Sequence, residues 1–116
     1  MSYRIEYSLT GRVLRATISG SCPSAGIITR EIARQARENS ASCLLVDVRS
    51  LNDRAGRLRE ILASRSIPGR IAVVDHAGND RLYVFAEIDA ANRGCLLKRF
   101  DDPEAAFKWL WDFPTG

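Results

Sequence analysis

Apolar and polar residues alternate from the start of the chain. In Tyr3-Arg4-Ile5-Glu6-Tyr7-Ser8-Leu9 the apolar positions fall on one side of a half-buried strand. Thr10-Gly11 is a turn signal, and Val13-Leu14-Arg15-Ala16-Thr17-Ile18 reads as a second strand, so the pair predicts a β-hairpin. After a loop at 20–24 the period changes. Ile28, Ile32 and Ala36 recur at helical spacing, while Arg30, Glu31, Arg34 and Arg37 point away. That spacing predicts a one-sided helix over 25–38, capped by Ser24.

The run 43–48 is continuously apolar except for Asp47, as befits a central strand covered on both faces. A polar loop is expected at 49–54. Leu58, Ile61 and Leu62 then have helical spacing, which predicts a short helix over 56–64, and Pro68-Gly69 breaks the chain. Ile71-Ala72-Val73-Val74-Asp75 is the next buried strand, and His76-Ala77-Gly78 is a turn. Asn79 or Asp80 caps a helix over 79–92, which Gly94 stops. The last strand is 95–100. Asp102-Pro103-Glu104 opens a final helix with a cap, a first-turn proline and a first-turn acid, and Ala106, Trp109, Leu110 and Phe113 form its inner face.

The order ββαβαβαβα forces mostly parallel pairing with right-handed crossovers. The fold class is α/β: a mixed, mostly parallel sheet of about five strands, with an N-terminal β-hairpin and about four helices. At 116 residues the chain suits one domain, 1–116.

Composition adds little: 46% hydrophobic and 27% charged residues are ordinary for a globular domain. Cys22, Cys43 and Cys95 are odd in number and form no C-x-x-C pair, and Cys43 and Cys95 each open an apolar run as small buried residues do. Without a signal-peptide pattern at the start, a reducing cytoplasm is the expected setting. No apolar run approaches the roughly 20 residues of a membrane-spanning helix.

Charge changes the picture locally. Net charge is +3, but residues 49–70 hold six arginines against Asp53 and Glu60, whereas 101–112 hold four acids against Lys108. Arg54 and Arg57, beside a helix N-terminus, are a candidate anion site; the alternative is a solvated helix face. Basic residues do not alternate with aromatics, so nucleic acid is not an expected partner.

Candidate chemistry is sparse. With one histidine and no zinc spacing, no metal is expected, and the glycines form no nucleotide-binding loop, so no cofactor is expected either. Asp47, Asp75 and His76 lie near the carboxyl ends of strands, where open α/β sheets gather ligands, and form a candidate strand-end pocket. No nucleophile pairs with them, so no catalytic residue is assigned and strand-end capping is the simpler reading. Helix 79–92 is the most informative element. Leu82, Tyr83, Val84, Phe85, Ala86, Ile88, Ala90 and Ala91 nearly encircle it, though a helix on one side of a sheet needs a single apolar stripe. With Leu82, Phe85 and Ala86 inward, Tyr83, Val84 and Ile88 are left for a ligand or partner, unless the Trp- and Phe-rich helix over 103–112 covers them.

Three stretches carry a family resemblance: Leu44-Leu45-Val46-Asp47-Val48-Arg49, Phe85-Ala86-Glu87 with Ala91-Asn92-Arg93-Gly94, and Phe100-Asp101-Asp102 with Ala105-Ala106-Phe107-Lys108-Trp109-Leu110. With the element order, these resemble the STAS domains, and within them the small SpoIIAA-like bacterial proteins of the anti-anti-sigma factor kind. The resemblance spans nearly the whole chain. It implies a non-enzymatic regulatory module. Relatives of the phosphorylated kind carry a D-S-S-G-like stretch before the second helix; this chain has Asp53-Arg54-Ala55-Gly56, so the resemblance puts Ala55 in place of the phospho-acceptor serine. The expected partner is a protein or a lipid or other small apolar ligand, met through helix 79–92. A homodimer and a peripheral membrane association fall under the same expectation, and the alternative function is a small lipid or hydrophobic-ligand carrier.

Overall fold

The computed structural model of the chain describes residues 3–21, 25–52, 70–76, 84, 87, 88, 90–92, 94 and 96–112. Five strands, β1 (Tyr3–Thr10), β2 (Val13–Gly20), β3 (Cys43–Leu51), β4 (Arg70–Val74) and β5 (Leu96–Phe100), form one sheet in the order β1-β2-β3-β4-β5. β1 runs antiparallel to β2, and the other neighbours are parallel. Two helices have defined bounds, α1 (Ala25–Glu38) and α2 (Pro103–Asp112). Val84, Glu87, Ile88 and residues 90–92 are also helical, within the segment expected as a helix. The helix expected over 56–64, the Ser24 cap, and the Asn79 or Asp80 cap lie outside the described residues, as do Cys22, Cys95 and Phe113.

Right-handed crossovers that all step the same way put their helices on one face of a sheet. Ile28, Ile32 and Ala36 of α1 and Ala90 of the later helical segment accordingly share one buried cluster. In it they meet Leu14, Ala16 and Ile18 of β2, Leu44, Val46 and Val48 of β3, and Ile71 and Val73 of β4. Tyr3, Ile5 and Tyr7 of β1 close the edge of that layer. The chain leaves β5 and turns under the opposite face. There Ala106 and Leu110 of α2 bury against Val13, Cys43, Leu45, Ala72 and Val74. Alternate residues of β3 thus serve both layers, which is why residues 43–48 read as an apolar run broken only by Asp47. Asp102 caps α2 as its sequence predicts, its carboxylate accepting the Glu104 N–H at 3.3 Å.

One boundary differs from expectation. The polar loop expected to begin at residue 49 begins later, because β3 continues through Arg49 and Ser50 to the buried Leu51. The register shifts between Thr17 and Ser19, where β3 carries one extra residue, and Ser19 and Gly20 then pair with Ser50 and Leu51. The extension is held by a neighbouring strand rather than by local apolar pattern.

Candidate functional site

α2 covers only part of its face. It packs against β4, β3 and β5 and touches just the start of β2. The rest of that face, over β1, β2 and the far end of β3, is polar. It holds an open depression of about 660 Å³ bordered by Glu6, Ser8, Arg15, Thr17, Asp47, Arg49 and His76 among others.

Asp47 is the anchor of this surface. Its side chain is 5% exposed, yet it carries a charge. Arg49, two residues on and on the same side of β3, donates from Nε to Oδ1 at 3.0 Å and from Nη2 to Oδ2 at 2.8 Å. The Arg49 backbone N–H adds a bond to Oδ1 at 3.2 Å, and Arg15 Nη2 on β2 lies 3.9 Å from Oδ2. Burial pushes the Asp47 carboxyl upward, but the Arg49 hydrogen bonds and the charges of Arg49 and Arg15 outweigh it and hold the carboxyl below its ordinary value. The same bonds raise the pKa of Arg49. The result is a fixed guanidinium fork lying on an open sheet face, with its outer edge available to solvent.

The three residues of the expected strand-end pocket separate. Asp47 and His76 border the same depression, with His76 exposed. Asp75 is fully buried: its carboxylate accepts the His76 N–H at 2.8 Å, and its backbone N–H donates to the Phe100 carbonyl at 3.1 Å, prolonging the β4–β5 ladder. Arg99 Nη1 donates to the Asp75 carbonyl at 3.1 Å. Among the described residues no three His, Cys, Asp or Glu side chains gather as a metal site would. On the opposite face, burial raises the pKa of the Tyr7 hydroxyl, with Glu31 adding to the effect.

Val84 and Ile88, one helical turn apart, are 53% and 56% exposed, while Ala90 is buried in the core. Two large aliphatic side chains therefore face solvent together. Arg54, Arg57 and Tyr83 lie outside the described residues. Arg15 and Arg49 were not singled out from the sequence as partners of Asp47. The only local signal is the spacing of Asp47 and Arg49, which puts both on one side of a strand, and it is legible only once the strand is known to continue. Among the described residues no helix is long and apolar enough to cross a membrane.

No protein-family model and no curated protein sequence matches the chain. Solved structures do resemble it. A crystal structure of an anti-sigma factor antagonist from Mycobacterium paratuberculosis superposes with a TM-score of 0.60 at 13% identity, covering 96% of each chain. The anti-sigma factor antagonist SpoIIAA in its unphosphorylated form gives a TM-score of 0.54 at 15% identity, over 98% of this chain and 100% of that one. At these identities the likeness is one of fold. The chain has a SpoIIAA-like fold, with its mixed five-stranded sheet and opening hairpin.

Proposed function

We propose that this protein is a non-enzymatic regulatory module of STAS type, a single domain over 1–116, which works by binding another protein through helix 79–92. The observation that carries this reading is the Val84–Ile88 pair, two large aliphatic side chains more than half exposed on one helix whose Ala90 faces the core. Solvated aliphatic side chains side by side are a common mark of contact surfaces. Two proteins sharing the fold over nearly their whole length are anti-sigma factor antagonists, so a protein of the anti-sigma factor class is the partner to seek. With Ala55 at the position that the resemblance assigns to the phospho-acceptor, binding here does not depend on a serine at that point.

The test is a photo-crosslinking amino acid at Ile88, with the same group at exposed Lys108 on α2 as control, in the native host. An anti-sigma-class protein joined at residue 88 and not at 108 supports the proposal. A lipid adduct alone at residue 88 supports the carrier reading instead, and identical adducts at both positions refute a specific surface. Val84→Asp should abolish the complex crosslinked at residue 88, Ile88→Asp should lose the same partner in a pull-down from the native host, and each variant should remain folded, with stability changed by less than about 0.5 kcal/mol. Unfolding of either variant would count against an exposed contact surface.

A further inference from the structure

We propose that β1 is a self-association edge, along which two copies of this chain pair antiparallel about a two-fold axis beside Ile5. β1 is one end of the sheet order, and among the described residues no strand pairs with its outer side. Sheet edges of this kind are usually blunted by charged side chains, above all lysine, by proline, by a bulge or by a very short strand. β1 carries the charges Arg4 and Glu6, which are paired with each other, but no lysine, proline or bulge. It is eight residues long, Tyr-Arg-Ile-Glu-Tyr-Ser-Leu-Thr, and pairs with β2 without a register break.

The hairpin fixes which backbone groups face outward. Gly11 and Arg12 are the whole connection, so Thr10 and Val13, the last pair, exchange both hydrogen bonds. The pairs then alternate. Arg4, Glu6 and Ser8 direct their N–H and C=O groups to β2, and Ile5 and Tyr7 direct theirs to the open edge. An antiparallel copy centred on Ile5 meets this phase: each Ile5 exchanges two bonds with Ile5 of the copy.

Charge selects that register over its neighbours. Arg4 and Glu6 lie on the open face of the sheet, with side chains 77% and 63% exposed, paired with each other at 3.2 Å. Centred on Ile5, the two-fold sets Arg4 opposite the copy's Glu6 and Glu6 opposite the copy's Arg4, while Tyr3 faces Tyr7. Centred on Arg4 or on Glu6, it sets like charges directly opposite, which is unfavourable. Centred on Tyr7, it sets Glu6 against Ser8 and Arg4 against Thr10, with neither charge answered.

The layer behind the strand has the same self-complementary pattern. Glu31 and Arg34 of α1 both lie near enough to act on Tyr7. Ile27, 41% exposed, joins Arg30, Glu31 and Arg34 around a shallow hollow of about 300 Å³. The same axis brings this side of α1 towards that of the copy, where Glu31 and Arg34 again offer reciprocal opposite charges. This surface is at the far edge of the sheet from β5 and is independent of helix 79–92.

The test uses the whole chain in sedimentation velocity and native mass spectrometry across the micromolar range. The wild type should show a concentration-dependent dimer. Arg4→Glu and Glu6→Arg should each weaken it about tenfold or more, since the symmetry turns two attractive pairs into two repulsive ones. Mixing the two single variants should restore association as a one-to-one heterodimer, and the double exchange, Arg4→Glu with Glu6→Arg, should restore the homodimer. Both side chains are exposed, so circular dichroism of each variant should match the wild type. A strictly monomeric wild type, or equal dimers in all variants, overturns the proposal. A mixture that stays monomeric while the wild type dimerises overturns the register.

Discussion

A buried carboxylate is expensive unless its oxygens are answered, and Asp47 shows how much of a polar surface one residue can organise. Three bonds from Arg49 and the nearby Arg15 keep it ionised at 5% side-chain exposure, and in return it fixes the direction of the Arg49 fork. Replacing Asp47 with Asn removes the charge but not the volume. The two arginines are 36% and 41% exposed, so water takes over part of their pairing, and the expected loss is about 1–3 kcal/mol rather than the larger cost of a sealed ion pair. The pH dependence has a definite sign. The folded carboxyl titrates below the ordinary value of 3.8, so its stabilisation is present above that value and is lost as the pH falls through the lower folded one. Acid titrations of stability should therefore show a steeper fall below pH 3.8 for the wild type than for Asp47→Asn. Parallel acid limbs would mean that the Asp47–Arg49 pair contributes nothing to folding.

At the level of elements, the periods of the sequence were enough to place β1, β2, α1, β4 and α2, because each buries a face within its own few residues. Ile28, Ile32 and Ala36 show this for α1, and Leu14, Ala16 and Ile18 for β2. The end of β3 was not legible in the same way. Arg49 and Ser50 have loop composition, and only pairing of Ser50 and Leu51 with β2 keeps them in the strand. The polar site shared that fate: Asp47 stood out as a charge inside an apolar run, but Arg15 comes to it across the sheet from 32 positions earlier in the chain. The hairpin turn has a similar tie to a distant element. Gly11 sits at φ +58°, and a Cβ there would lie 2.7 Å from Cζ3 of Trp111 on α2. The ring is 56% exposed and stacks on Phe107 at 5.6 Å between centroids, so it has room to swing aside. Backbone strain is then the larger cost of Gly11→Ala, about 1–2 kcal/mol. A lowered melting temperature with a changed tryptophan emission is the expected outcome, and an unchanged emission would show that Trp111 does not rest on the turn.

For the molecule as a whole, the two faces of the sheet are unequally closed, and this should be visible in how the backbone opens. β3 lies between β2 and β4 and is covered on both faces over Leu44, Leu45 and Val46, which are at most 1% exposed. β4 is similarly enclosed, with Ala72, Val73 and Val74 at 0% exposure. β1 is an edge with one solvated face, and β5 is an edge whose Leu96 is 45% exposed. Opening of a backbone amide requires the loss of its packing, so amides in β3 and β4 should exchange only through global unfolding, and those of β5 through local opening at smaller cost. β1 should divide by position. Its even amides, Arg4, Glu6 and Ser8, are bonded into the hairpin and should exchange slowly whatever the protein concentration. Those of Ile5 and Tyr7 point to the open edge, so a monomer protects neither, whereas the β1-edge dimer protects both. Residue-resolved hydrogen exchange in dilute and concentrated samples should then show slow β3 and β4 throughout, with protection of Ile5 and Tyr7 appearing only on concentration. Fast exchange of Ile5 and Tyr7 at both concentrations would show that the edge stays open, and fast exchange in β3 would overturn the two-layer account of the core.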